Sequence, residues 1–216
     1  MRFKSYLCWL LLLSISILAA CTSATSLGRS EKQQMVEHVK TVEKSEFDLI
    51  YFNKSHKQYF KIVNEIVSEE YWVSMSDEVV FGYDSVTYTR DDLKNMSQWD
   101  YDKHKERMLR LIHRIEMDKL SVTVRISDVY KGNQANQVNI YTFENKELKD
   151  QPFTATTKKY TLEKLDKKWL ITGVEQDKFN YGSEQTAEEM EEGIKGLKYQ
   201  THDGKAIGYP TVLVLG

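Results

Sequence analysis

From Glu31 onwards, apolar residues return every three or four positions. Met35, Val39 and Val42 share one face, Phe47, Ile50 and Tyr51 extend the pattern, and Glu and Lys cover the other sides. That period predicts an amphipathic helix. Asn53-Lys54-Ser55 interrupts it, and a second helical stretch places Tyr59, Ile62, Val63, Ile66 and Val67 at spacings of three and four towards Glu70. The two stretches form one long helix with a break, or a helical pair. From Ser74 to Tyr88 the pattern changes: Val79, Val80, Phe81, Val86 and Tyr88 surround Gly82-Tyr83-Asp84, which predicts one or two short strands and a turn. Thr89, followed three residues later by Asp92, has the form of a capping box and opens a short helix to about Trp99. Met108, Leu111, Ile112 and Ile115 then fit a helix through about Leu111, beyond which helix and an extended approach to the next strand remain open.

Leu120, Val122, Val124 and Ile126 alternate with Ser121, Thr123, Arg125 and Ser127, the period of a half-buried strand. Lys131-Gly132-Asn133 turns the chain into a second strand with Val138, Ile140 and Thr142 on one face and Tyr141 and Phe143 on the other. After a loop at Lys149 to Pro152, a third strand sets Tyr160 and Leu162 against Lys159, Thr161 and Glu163. Asp166-Lys167 makes a tight turn into a fourth strand bearing Trp169, Ile171 and Gly173. The expected result is a four-stranded antiparallel meander. Further on, Thr186-Ala187-Glu188-Glu189 opens an acidic helix from Glu188 to about Lys195, which Gly193 and Gly196 end. The tail closes on Thr211-Val212-Leu213-Val214-Leu215, a β-prone, uncharged run. Such a run needs covering, so it should pair on a sheet edge within the chain, pack in a groove or bind a partner. Pairing within the chain is the plainer expectation.

The first twenty residues have the three parts of an export signal: Arg2 and Lys4, an apolar segment from about Tyr6 to Ala20, and small residues before the break. The apolar stretch is shorter than the roughly 20 residues of a bilayer span, and Ser14 and Ser16 dilute it. Leu18-Ala19-Ala20-Cys21 resembles the lipobox of bacterial lipoproteins. The resemblance implies that the Cys21 thiol takes a diacylglycerol, that cleavage falls before it, and that Cys21 becomes the first residue. Two acyl chains satisfy the requirement for stable anchoring, since each buried methylene contributes about 0.8 kcal/mol. Thr22, where an Asp would mark retention at an inner membrane, implies the outer membrane if the source has two. Thr22 to about Ser30 is a small, polar tether. The segments expected are therefore a signal at 1–20, a tether at 21–30, a domain at 31–178, and a helix and β-prone tail at 179–216.

Helices first, then short strands, another helix and a curved antiparallel meander: this order resembles the nuclear transport factor 2-like superfamily, a cone-shaped α+β fold. The resemblance rests on Ser76 to Phe81, on Thr89-Arg90-Asp91-Asp92-Leu93, on the strands around Lys131-Gly132-Asn133, and on the hairpin from Tyr160 to Val174. A cystatin-like helix on a sheet is the alternative. Enzymes of the superfamily place carboxylates, Tyr or His inside the cone, and a carboxylate raised by an apolar pocket is a plausible base.

Composition then narrows the chemistry. Of the two cysteines, Cys8 lies in the signal and Cys21 would be alkylated, which leaves no disulfide, thiol nucleophile or four-cysteine zinc site. Removing Arg2 and Lys4 from 30 basic residues leaves 28 against 32 acidic ones, a net charge of −4. No basic stripe with interleaved aromatics points to nucleic acid. Asn53-Lys54-Ser55 and Asn95-Met96-Ser97 match a glycosylation pattern that a bacterial signal makes coincidental. His113 and Glu116, three apart, could share a helix face as ligand or base, or be a surface His beside a Glu. His38, His56, His104 and His202 are scattered, with no pair at metal-ligand spacing. Nucleophile elbows and phosphate loops are missing. Trp72, Trp99, Trp169 and the tyrosines suit a pocket, an interface or plain packing on the sheet. The inward strand positions read as apolar or Thr, with no Asp or Glu among them. The expectation is a lipid-anchored envelope domain, without cofactor, metal or catalytic residue, whose one assigned site is Cys21. It would bind a protein, peptide or small apolar ligand; the alternatives are an isomerase- or hydrolase-like enzyme and an assembly factor that uses its tail.

Overall fold

The computed structural model describes residues 27–83, 85–149, 151–180 and 206–215. Cys21, the helix expected from Glu188 to Lys195, and His202 lie outside them. Helix α1 runs Arg29–Ile50, and its start is capped by the Glu31 carboxylate, which accepts from the Gly28 N–H at 3.2 Å. The helix stops where Phe52 takes a left-handed conformation and Lys54 Nζ reaches Asp48 at 2.7 Å. Ser55 and Gln58 form a reciprocal cap on α2, His56–Val63. The helical period was expected to continue through Val67 to Glu70, but α2 ends at Val63. The backbone is diverted instead: Ile66 and Ser68 exchange hydrogen bonds with Ile171 at 3.0 and 2.9 Å, and Val67 bridges Ile171 in parallel. That bridge covers part of a sheet edge, which outweighs the local helical preference. Ser68 then caps α3, Glu69–Met75.

A two-stranded hairpin follows, β1 (Val79–Tyr83) against β2 (Val86–Thr89). Gly82 is required there, because a Cβ would sit 2.8 Å from the Val86 carbonyl oxygen. Thr89 and Asp92 form the expected capping box on α4, Arg90–Asn95. The helix ends at Asn95, short of the expected Trp99, because Met96 turns extended and Ser97 caps a separate helix α5, Gln98–Arg114, which settles the stretch beyond Leu111 as helix. A 3-10 turn, Met117–Lys119, leads into the main sheet.

That sheet holds β3 (Leu120–Ile126), β4 (Tyr130–Lys131), β5 (Gln137–Leu148), β6 (Gln151–Leu165), β7 (Lys168–Asn180) and β8 (Thr211–Leu215). The order is β7-β6-β5-β3-β8, all antiparallel, with β4 beside β5. The expected meander is therefore present, and the tail pairs with β3 within the chain. Helix α1 lies on the concave face, where Met35, Val39, Val42 and Leu49 meet Val122, Val124, Ile126, Ile140 and Leu162 in the core. The architecture is α+β, helices on a curved antiparallel sheet that does not close, consistent with a nuclear transport factor 2-like cone. No helix among the described residues is long and apolar enough to cross a membrane.

Candidate functional site

The concave face changes character along its strands. Towards one end Val138, Ile140, Tyr160, Leu162 and Ile171 make it apolar. Towards the other it carries polar rows set by the strand register: Thr142 beside Lys158 and Gln176, Glu144 beside Thr156 and Lys178, Lys146 beside Thr154 and Asn180. The expectation that inward positions are apolar or Thr fails here. Lys158 sits two residues before Tyr160 and Glu144 two after Thr142, so strand parity alone puts both on the inward face.

Above Lys158, α1 supplies two carboxylates. Glu43 lies four residues after Val39, and Glu46 four after Val42 and three before Leu49. The helix therefore turns both inward. Lys158 Nζ donates to Glu43 at 2.8 Å and to Glu46 at 3.2 Å. Glu43 also accepts from Thr142 Oγ1 at 2.9 Å and Tyr160 OH at 3.0 Å. Glu46 accepts from Tyr71 OH at 3.2 Å and Arg90 Nη2 at 3.1 Å, while Arg90 Nη1 donates to Tyr59 OH. Arg90 reaches this centre because the Thr89 cap starts α4 there and turns its first residue inward. Two carboxylates and two cations, nearly dry, form a balanced quartet.

Balance sets the ionisation. Burial alone would raise Glu46; Lys158 and Arg90 overcome it and hold the carboxyl at about 2. Burial pushes the Glu43 carboxyl above its ordinary value, opposed by Lys158 and reinforced by Glu46. Lys158 is kept an ammonium, because Glu43, Tyr160 and Glu46 outweigh the burial that would discharge it. Burial, with the neighbouring carboxylates, raises Tyr71 and Tyr160 well above the usual phenol value. Beside the quartet opens a pocket of about 330 Å³ between α1, β1 and the polar end of the sheet. Phe47, Ile50, Tyr51, Val80 and Met117 give it an apolar wall, and Glu78, Glu144, Lys146 and Lys178 stand about it. Lys146 Nζ pairs with Glu144 Oε1 at 3.1 Å.

The other candidates do not converge. His113, its side chain 85% exposed, meets Asp118 at 3.2 Å rather than Glu116, which binds Lys119 and Lys149. His56 packs against Tyr101 and His104 against Phe81 and Tyr88, each in an aromatic setting. Among the described residues no group of three or more His, Cys, Asp or Glu is placed to hold a metal ion. Trp169 is buried and Trp72 joins an aromatic cluster with Tyr59, Phe60 and Tyr71, whereas Trp99 lies on the surface against Lys103. No protein-family model matches the chain, and no curated protein matches it.

Proposed function

We propose that this chain is a non-catalytic ligand-binding domain, held on the outer side of a bacterial membrane by lipid on Cys21, with its ligand in the pocket beside the buried quartet. The observation that carries the binding reading is that Glu43 and Glu46 are both occupied by buried cations, Lys158 on each and Arg90 on Glu46. A general base needs a pKa near the working pH and an oxygen within reach of the substrate proton. Glu46 is held at about 2, so it stays ionised but is a weak base. Glu43 has a side chain only 1% exposed and accepts from Lys158, Thr142 and Tyr160. Lys158 is a locked ammonium and no nucleophile. What this set does well is present a rigid, preorganised polar floor to a bound molecule. The charged residues about the pocket favour a polar ligand over a purely apolar one.

The anchor reading is supported by Leu18-Ala19-Ala20-Cys21 and by the tether after it. Cys21→Ser should move the protein out of the membrane fraction, or leave it as an uncut precursor that mass spectrometry separates from the lipidated form. A wild-type chain of unmodified mass would sink the anchor. A second reading, an isomerase- or hydrolase-like enzyme with Glu43 as base, is favoured by the upward push that burial gives its carboxyl beside Tyr160. Infrared titration of the Glu43 carboxylate separates the two. A midpoint below pH 6 supports binding alone, and one between pH 6 and 8 supports the base.

A further inference from the structure

Register gathers several segments at one end of the sheet. Ile126 lies between Thr142 and Thr211, Tyr130 faces Asn139, Gln137 faces Glu163 and Leu165 faces Lys168, so the end of β3, the start of β5 and the β6–β7 turn are neighbours there. Helix α1 begins at the same end. Glu31 Oε1 accepts from Lys164 Nζ at 2.8 Å and from Trp169 Nε1 at 3.4 Å, while its other oxygen takes the Gly28 N–H. The Lys164 N–H donates to the Asn136 carbonyl at 3.1 Å. The first turn of α1, the β6–β7 hairpin and the loop after β4 are thus tied into one platform, at the point where the tether enters the domain.

Length limits which end meets the lipid. Gly28 follows Cys21 by seven residues (28 − 21), at most about 25 Å of chain at roughly 3.6 Å each. Helix α1 has 22 residues and runs away from Gly28 for about 33 Å. A domain standing on its far end would lift Gly28 beyond the tether. Charge points the same way. The platform bears Arg29, Lys32, Lys131, Lys164, Lys167 and Lys168, all exposed, against Glu31, Asp128, Glu163 and Asp166, a net +2 (6 − 4) in a mature chain of −4. Glu31 is occupied by Lys164 and Glu163 by Gln137. Five of the cations, all but Lys164, make no ion pair among the described residues. The other basic stretch, Lys103 to Arg114 on α5, packs past the end of α1, where Lys105 Nζ donates to the Phe52 carbonyl at 3.3 Å. Resting on the lipid-anchor reading above, we propose that the platform is a membrane-facing surface. The Lys167-Lys168 turn, Arg29, Lys32 and Lys131 lie against anionic phospholipid headgroups and hold the domain upright, with the pocket beside the quartet at the end away from the bilayer. Each such cation within about 8 Å of an anionic surface strengthens the attraction by about fivefold.

Energy transfer from the mature, lipidated chain to headgroup-labelled lipid in nanodiscs tests this. With Cys21 alkylated and Cys8 cleaved away, Ala135→Cys at the platform or Ser121→Cys at the far end supplies the sole thiol for a donor dye. In discs of phosphatidylcholine with roughly a third phosphatidylglycerol, transfer from position 135 should exceed that from position 121. It should fall at least ~2-fold in pure phosphatidylcholine, in about 0.5 M salt, or with Lys167→Glu and Lys168→Glu together, whose melting temperature should hold. Lys103→Glu with Arg114→Glu makes the same change in net charge at the far end and should leave the transfer as it is. Transfer from position 135 that ignores both phosphatidylglycerol and the Lys167 and Lys168 reversal overturns the platform. Equal loss from the Lys103 and Arg114 reversal also overturns it, because bulk charge then governs. Stronger transfer from position 121 overturns the orientation. A mature chain of unlipidated mass removes the anchor reading and this proposal with it, whereas a lipidated chain that ignores phosphatidylglycerol leaves the anchor standing and overturns the platform alone.

Discussion

Glu43 is the residue on which the interior charge turns, because three donors meet on it, the Lys158 ammonium among them. Truncating Glu43→Ala leaves Thr142, Tyr160 and half of Lys158's bonding unmatched in a dry site. Removing one partner of a buried pair typically costs about 3–5 kcal/mol, so urea denaturation should show a loss of that order. Glu106→Ala, which breaks an exposed pair with Arg110, should cost under about 1 kcal/mol. Equal losses from both would mean that burial does not set the scale. The histidines give a second residue-scale effect. Burial holds His56 and His104 below the ordinary value of 6.5, with Lys57 pushing the same way on His56 against Asp102, and Arg107 on His104. A base whose folded pKa is depressed stays neutral in the fold while the unfolded chain takes up a proton. Stability is therefore kept above pH 6.5 and lost as pH falls below it. The melting temperature of His56→Phe with His104→Phe should fall less between pH 6.5 and 5 than that of the unsubstituted chain.

At the scale of elements, caps and turns place the interior groups. Thr89→Ala should cost about 0.5–2 kcal/mol as a lost N-cap. Because Arg90 is the next residue, the change should also loosen the bond to Glu46, visible as a shift of the Arg90 side-chain NMR signals. The β6–β7 turn holds Asp166 and Lys167 at φ of 46 and 69, where Gly is at home. Lys167→Gly should stabilise the domain by roughly 0.5–1 kcal/mol in thermal unfolding. The elements themselves are legible in the sequence wherever period and caps agree, as for α1, the Thr89 box and the strand from Leu120 to Ile126. The site is less legible, although part of its signal is present. Glu43 and Glu46 lie on the apolar stripe of α1 and Lys158 shares parity with Tyr160, but charge argues for solvent where position argues for the core. Arg90 pairs with a residue 44 positions away, and the α2 stretch yields to a bridge at Ile171; neither is written locally.

At the scale of the whole molecule, the sheet has unequal edges. On the β7 side, residues 66–68 cover Ile171. On the β8 side, Val212 and Val214 are 58% and 67% exposed on an uncharged strand. Lysines at both positions should leave the free energy of unfolding in urea within about 1 kcal/mol and reduce self-association in light scattering, because edge lysines discourage strand pairing. The partner of that strand is distant in the chain. Thr211 meets Ile126 and Leu215 meets Val122, separations of 85 (211 − 126) and 93 (215 − 122) positions. Contacts so far apart close late, after the loop entropy of the intervening chain has been overcome. Until residues 211–215 have been synthesised, the flank of β3 that they cover has no partner among the described strands, so closure of that edge waits on the last of the described strands to leave the ribosome.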